Sequence, residues 1–562
     1  MAKTFEVGLV CAGAISGGAY QAGVLDFLLQ ALEEWYKAKD DPSIDQNLVP
    51  PHEVSIKVIT GASAGGMSAA IFTSMTGDNP CHISDWLYPV PSGNRLYDAW
   101  VGIIDIAQLC GIDDLDSDKL APVTSLLNSS IIDVIASAAI SKPYGPRRPR
   151  YFSDPLQVGL SIANMGGVPY VIKMVTSTNP PGTNGLNIRI HADYREFYLT
   201  TSGKNGSGVI LEPNIANGWE VLKETAKATG AFPIGLAPRI TSRDVSDYSS
   251  RNWCIPKAAC TQSGDKCFDA VPIEPVWLET PTSYSFLTMD GGTMNNAPTE
   301  LAREKLMGGA CMRLERRGDL ADKGLLLIVP FPGFDPPVST NFQLEPHKAN
   351  LSLLNLAASL MGAWLEQARF KTEELVLAAD EEVYSEFLIG PSDGATLLPK
   401  EDPRHIDISG ATLFGFGAFL FRDFRDHDFQ LGRRNCQRFL ETSFALPEEN
   451  PLFTEWPNQL RTTLAVADPT GPHLPIIPLF GTARAEVPRP FWPRKSTNDI
   501  NKLRVVIGAR IGAVAQRLAD TLPSVPLKWL AKIVLQFGGA GKLTDVAMQK
   551  IQDSLREHDL MT

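Results

Sequence analysis

No stretch of this chain offers the roughly 18 uninterrupted apolar residues that a membrane-spanning helix needs, so no spanning segment is expected. Positive charge is not in excess either. The 51 Lys and Arg residues stand against 63 Asp and Glu, a net charge of -12, which excludes the basic footprint of a nucleic-acid binder. That acidity also means that an anionic membrane must be met through a local patch and not through the overall field. Cysteine is sparse: eight in 562 residues make no disulfide framework. Cys254, Cys260 and Cys267 lie close together, but gaps of five and six residues do not match a zinc knuckle. Reduced thiols in a loop, or one local disulfide, are the readings left there; no metal and no cofactor is expected.

What is present is ordinary globular material, 44% hydrophobic and 20% charged, long enough for a large core. Such a length admits two to four domains or one large α/β domain with insertions. The apolar stretch from Val7 to Ala22 imitates a signal peptide, but Glu6 breaks the positive flank and a glycine cluster interrupts the run. The expected setting is therefore a reducing cytoplasm, with peripheral contact at a membrane surface left open and the oligomeric state unspecified.

The order of elements carries more information. Phe5 to Val10 predicts a buried strand, Ala12 to Gly18 a small-residue turn, and Ala19 to Lys37 a helix with Val24, Leu25, Leu28, Leu32 and Trp35 on one stripe. Val54 to Ile59 predicts a second strand, followed by a turn and a helix from Gly66 to Met75. This strand–turn–helix alternation is that of a parallel sheet. Further on, strands are expected at Val168–Thr176, Ile188–His191, Glu196–Thr200, Ser285–Thr288 and Gly324–Val329, with helices at Trp219–Thr229 and Asn296–Met307. Beyond Pro330 the expectation is a Pro- and Gly-rich bend (Phe331–Ser339), a long helix (Leu351–Ala378), a glycine-interrupted apolar run (Gly410–Phe421), an irregular stretch (Leu446–Pro493) and two helices within Leu503–Gly538.

Chemistry concentrates at Gly61-Ala62-Ser63-Ala64-Gly65. A Gly-x-Ser-x-Gly turn between a strand and a helix forces strained backbone at the serine and holds its hydroxyl exposed above the sheet edge. Small residues two before and two after let the arms of the turn nearly touch, and the helix N-terminus brings positive potential to a developing oxyanion. Ser63 is the candidate nucleophile, and it needs a base. Among the eight histidines, His427 and His473 follow Ser63 and several acids, as an ordinary triad would require. Arg425-Asp426-His427-Asp428, however, reads as a charged helix or loop face. Asp290, ending a short strand before Gly291-Gly292, is the other candidate, since a desolvated carboxylate within reach can take the serine proton directly.

Together these segments resemble the patatin-like phospholipase family. Gly13-Ala14-Ile15-Ser16-Gly17-Gly18, running into Ala19-Tyr20-Gln21-Ala22-Gly23, is similar to that family's first glycine loop. Thr60 to Gly66 matches its elbow, and Asp290-Gly291-Gly292 with Asn295-Asn296-Ala297-Pro298 matches its acid motif. Lys227 to Pro233 resembles the stretch that precedes that motif. The resemblance implies a three-layer α/β fold with a mostly parallel central sheet of patatin type. It also implies a Ser63–Asp290 dyad without a histidine, and an oxyanion hole from backbone N–H groups of Gly13 to Gly18. The loop departs from the family pattern at Gly17, which stands where a basic residue is usual. The spacing does not fit a dinucleotide-binding Gly-x-Gly-x-x-Gly.

The expected organisation is a patatin-like catalytic domain at 1–330 with a largely helical extension at 331–562 packed on it. The expected activity is hydrolysis of a lipid acyl ester, phospholipase A- or lysophospholipase-like. A non-lipid esterase, thioesterase or acyltransferase, or a catalytically weak binding protein, are the alternatives. Arg422, Arg425, Arg433, Arg434 and Arg438 are expected to be a salt-bridged structural element ahead of a phosphate site. Lys528 to Ile533 offers a candidate interfacial face.

Overall fold

The computed structural model describes residues 3–116, 122–143, 148–173, 185–201, 208–212, 216–249, 251–256, 268–277, 279, 281–331, 360, 363–364, 367–368, 376–378, 380, 382–400, 402, 404–521 and 539–562. Its centre is a mostly parallel sheet. Strand β1 (Thr4–Cys11) pairs in parallel with β2 (Glu53–Gly61), and β2 pairs in parallel with β3 (Phe152–Lys173). Beyond β3 lie antiparallel β4 (Gly185–Leu199) and the short β5 (Val209–Leu211). Two further strands, β6 (Arg239–Asp244) and β7 (Ser283–Asp290), form an antiparallel pair in which β7 also pairs antiparallel with the middle of β3, at Ile162–Asn164. On the other side of β1 come β8 (Lys323–Ile328) and β9 (Glu386–Ile389), both parallel.

Helices cover both faces, as a parallel sheet requires. Apolar side chains alternate along the strands, so that Val10, Val58, Leu325 and Leu327 meet helix α5 (Thr299–Met307), whereas Leu9, Ile59, Leu326 and Ile328 meet the opposite layer. That layer holds α1 (Gly18–Asp40), α2 (Ala64–Ser74) and, packed along α1, the helix α6 (Arg422–Thr442). Helices α3 (Ser130–Ala139), α4 (Ala216–Thr229), α7 (Thr497–Asp520) and α8 (Ala540–Glu557) complete the set used below. Glycine lets α1 and α6 approach closely. A Cβ on Gly23 would lie 1.9 Å from the Phe429 carbonyl oxygen, and one on Gly432 would lie 2.1 Å from that of Tyr20.

Several expectations need correction. Arg425, Asp426, His427 and Asp428 are not a charged surface: all four are buried within α6. Asp26 of α1 receives the Arg433 guanidinium, and Gln30 accepts from Arg433 at 2.6 Å. Arg425 donates to the carbonyls of Val101, Ala418 and Phe419. A helix that reads as exposed is thus core, because most of its buried charge finds a partner. Of the strand expected at Val168–Thr176, the described part, Val168–Lys173, is the end of a strand that begins at Phe152. Within 331–562, expected to be largely helical, β9 joins the central sheet, and Ala445–Pro447, Val466–Asp468 and Gly471–Pro475 form a small antiparallel sheet where irregular chain was expected.

Cys254 is bonded to Cys311, 57 residues away, in place of a neighbouring cysteine. A disulfide runs against the expectation of a reducing compartment. Cys260, Cys267, His347, the bend at 332–339, most of the helix expected at 351–378 and the Lys528–Ile533 face lie outside the described residues. No helix among the described residues is long and apolar enough to cross a membrane.

Candidate active site

Three parallel strands end at one level. Cys11 of β1 stands beside Gly61 of β2 and Ile328 of β8, so the loops that follow open at the carboxyl edge of the sheet. In open α/β sheets that edge is where ligands bind. Strand β7 approaches the same edge from the opposite direction, pairing Asp290 with Ile162 just past the point where Leu160 leaves Gly61. The antiparallel run of β7 is therefore what delivers Asp290 to a serine 227 residues earlier in the chain.

Ser63 sits between β2 and α2 with φ 53° and ψ -129°, a left-handed backbone that costs a non-glycine residue of order 1–3 kcal/mol. Tight packing holds it there. A Cβ on Gly61 would come within 2.4 Å of the Gly65 carbonyl oxygen, and one on Gly65 within 2.1 Å of that of Cys11. The Ser63 N–H donates to Thr229 Oγ1 at 2.9 Å, and Thr229 in turn donates to the Ser161 carbonyl. That threonine, buried at the end of α4, lies within the Lys227–Pro233 stretch singled out in the sequence, but its role there was not legible.

The Ser63 hydroxyl donates to Asp290 Oδ2 at 2.6 Å, while Oδ1 of the same carboxylate accepts from the Gly292 N–H at 2.7 Å. Burial pushes the Asp290 carboxyl up to about 7, against the opposing pull of the hydrogen bonds from Ser63 and Gly292. Gly291 permits the approach: a Cβ there would lie 2.0 Å from the Ser161 carbonyl oxygen.

Facing Ser63 across the cavity is the first glycine loop. Not all six of its residues have a free N–H group, which narrows the expectation. Gly13 donates to the Asn296 carbonyl, Gly17 to that of Ala14, and Gly18 to those of Ile15 and Ser16. Among the described residues the amides of Ala14, Ile15 and Ser16, and of Ala64 at the start of α2, make no hydrogen bond. Ala14 and Ile15 line the cavity beside Ser63 and Asp290. Asn296, from the Asn-Asn-Ala-Pro motif, clamps Gly13 at both ends, its backbone carbonyl accepting from the Gly13 N–H and its Nδ2 donating to the Gly13 carbonyl at 3.2 Å.

Position 17 has no room for a basic side chain. Even a Cβ would stand 2.9 Å from Pro330 and 3.0 Å from Phe331. The loop is tied down by Ser16 instead. Its buried hydroxyl donates to the Gly415 carbonyl at 2.6 Å and accepts from the Ala418 N–H at 3.3 Å. The 409–418 segment is itself anchored by Asp428 of α6, which accepts from the Ser409 and Gly410 N–H groups at 2.8 and 2.9 Å.

The cavity has a volume of about 1200 Å³ and extends from Ser63 past Phe414 to the end of α8. A second, apolar slot opens from Ser63 toward Met67, Ile71, Trp100, Ile135 and Phe416, and is closed down to about 40 Å³. No described histidine takes part in the dyad. His427 is bound between Asp428 and the Gly394 carbonyl, and His473 contacts Tyr384. His558 lines the cavity and is held by the Arg404 carbonyl, but makes no contact with Ser63. No group of side chains that could hold a metal is found among the described residues.

No family model matches the chain. An uncharacterized protein of Sinorhizobium fredii, y4iI, is 33% identical over an alignment of 568 positions that covers 92% of this chain and 76% of the relative. The chain belongs to the family of y4iI.

Proposed function

We propose that this member of the y4iI family is a patatin-like serine hydrolase acting on lipid acyl esters through Ser63 and Asp290. The observation that carries the proposal is the 2.6 Å hydrogen bond from a strained elbow serine to a buried carboxylate raised to about 7. A base with that affinity is about half ionised at neutral pH and is a stronger proton acceptor than an ordinary carboxylate.

In the proposed reaction Asp290 takes the Ser63 proton as Oγ attacks the ester carbonyl. The oxyanion settles against the free N–H groups of Ala14, Ile15 and Ala64. Collapse breaks the bond to the alcohol, which leaves with the proton from Asp290, and an acyl group remains on Ser63. Water then gives a proton to Asp290 as its oxygen attacks the acyl carbonyl. Fatty acid departs and the proton returns to Ser63. The apolar slot beside Ser63 supports an acyl chain as the group transferred, though side chains such as Met67 and Phe416 must part to admit a long one. That closure is the one feature that favours a short-chain esterase instead, and acyl-length dependence on a series of synthetic esters separates the two.

The experiment is labelling with a fluorophosphonate probe. Wild-type protein is expected to be labelled, Ser63→Ala not at all, and Asp290→Asn far more slowly. Folded wild-type protein that fails to label overturns the proposal.

A further inference from the structure

The turn 412–415 is built at a cost and holds an exposed apolar residue, Phe414. Leu413 (φ 53°, ψ 46°) and Phe414 (φ 56°, ψ 33°) are consecutive non-glycine residues in the left-handed region, which L-residues avoid. Leu413 is half-buried and packs against the apolar cluster that contains Leu420 and Phe424. The Phe414 side chain is 98% exposed. The turn does not swing freely, because Ser16 holds the Gly415 carbonyl and Thr412 Oγ1 donates to the Ser409 carbonyl at 3.0 Å. An aromatic ring is thus fixed in solvent at the mouth of the cavity that contains Ser63.

Helix α8 forms the opposite rim. Lys550, Asp553, Ser554 and Glu557 line the same cavity. At 100° per residue, Val546 and Leu543 fall on the same face of that helix as Lys550, one and two turns earlier. They are 52% and 59% exposed, so the charged part of the rim continues into an apolar part. The charges themselves balance, with Lys550 and Arg556 against Asp553 and Glu557, on a chain whose net charge is -12.

The geometry points to this rim as a docking surface for a zwitterionic lipid layer, with Phe414, Leu543 and Val546 entering the interface and Ser63 opening toward it; the inference rests on the hydrolase reading above. Apolar groups fixed around a site whose substrate resides in a lipid layer bring that substrate to the nucleophile without its full transfer through water. A rim with equal numbers of both signs, on an acidic protein, gains nothing from an anionic surface.

The test is co-sedimentation of the full-length Ser63→Ala chain with phosphatidylcholine vesicles, and with vesicles that also contain phosphatidylserine, at low and high salt. Binding to phosphatidylcholine that is insensitive to salt is expected. Phe414→Ser in the same background should lower the partition roughly tenfold, as should Leu543→Ser/Val546→Ser. The Leu543→Ser/Val546→Ser pair placed in the active chain should label with fluorophosphonate like wild type. Background partition of the parent chain, as a protein partner for this rim would give, overturns the inference. So does binding that requires phosphatidylserine and vanishes in salt, or partition indifferent to Phe414→Ser. Wild-type protein that labels at Ser63 yet ignores vesicles overturns the docking surface alone and leaves the hydrolase reading standing.

Discussion

The two walls of the cavity are made in different ways. The Ser63–Asp290 wall is made of strand ends and glycines. Its residues come from Gly61–Gly66 and Asp290–Gly292, and the close approaches depend on what is missing from them, a Cβ. The 409–418 wall is made of a strained turn hung from a helix full of charge, with Asp428 holding two backbone N–H groups and Ser16 tying the result to the first glycine loop. The first wall is local geometry. The second is a network of paired buried charges, where loss of one partner leaves another without its hydrogen bonds.

If the chemistry belongs to the first wall, its two polar members should dominate every measured rate. Ser63→Ala is expected to abolish turnover of a synthetic ester, and Asp290→Asn to lower kcat by a factor on the order of 10³ or more. The same carboxyl predicts a pH profile. Since Asp290 must be ionised to act as a base, kcat/KM should rise with pH along a limb centred near 7 and then level off. Stability should move the other way. The folded carboxyl holds its proton up to about 7 while the unfolded one releases it near 3.8, so stability declines as pH rises through that window and is flat above it. Asp290→Asn is expected to remove this decline and to melt at a higher temperature than wild type at pH 8; a lower melting temperature would argue that the carboxylate is not buried at a cost.

The second wall should fail through stability first. Asp26→Ala leaves the Arg433 guanidinium buried without its carboxylate and is expected to cost about 3–5 kcal/mol in denaturant unfolding. Replacing both, as Asp26→Leu/Arg433→Met, should recover only part of that loss, because the buried Asn94 amide that donates to Asp26 and the Gln30 side-chain carbonyl that accepts from Arg433 then lose those partners. Asp428→Asn should cost less, about 1–3 kcal/mol, and should lower kcat as well, since the turn it anchors supports the loop that carries Ala14 and Ile15.

The smallest effect sharpens the comparison most. Ser16→Ala removes one hydroxyl and should lower kcat about tenfold with KM little changed, because Ser16 positions the loop without touching the substrate. Equal losses in KM and kcat, or none in either, would place the second wall outside the chemistry.

Legibility in the sequence follows the same division. The βαβ start was readable because its strands and helix α1 bury apolar side chains with plain periodicity, and the elbow because a Gly-x-Ser-x-Gly between a strand and a helix has few other uses. Asp290 was readable only as a motif, since the antiparallel path of β7 that carries it to Ser63 leaves no local trace. Helix α6 misled for a physical reason: burial of Arg425, His427 and Asp428 depends on partners at Val101, Gly394 and Ser409, which no pattern within the helix announces. The Cys254–Cys311 pairing was hidden in the same way.

The sequence by itself determined the α/β class, the Ser63 elbow, and the candidate set from which its base had to come. Periodicity and glycine placement are local properties, fixed by backbone sterics within a few residues. Tertiary contacts alone settle that Asp290 and not His427 meets Ser63, that Ala14 and Ile15 are the loop residues that line the cavity with their N–H groups free, and that Ser16 and α6 hold the site's second wall. Those are contacts between residues hundreds of positions apart, and they exist only once the sheet has brought its strand ends to one edge.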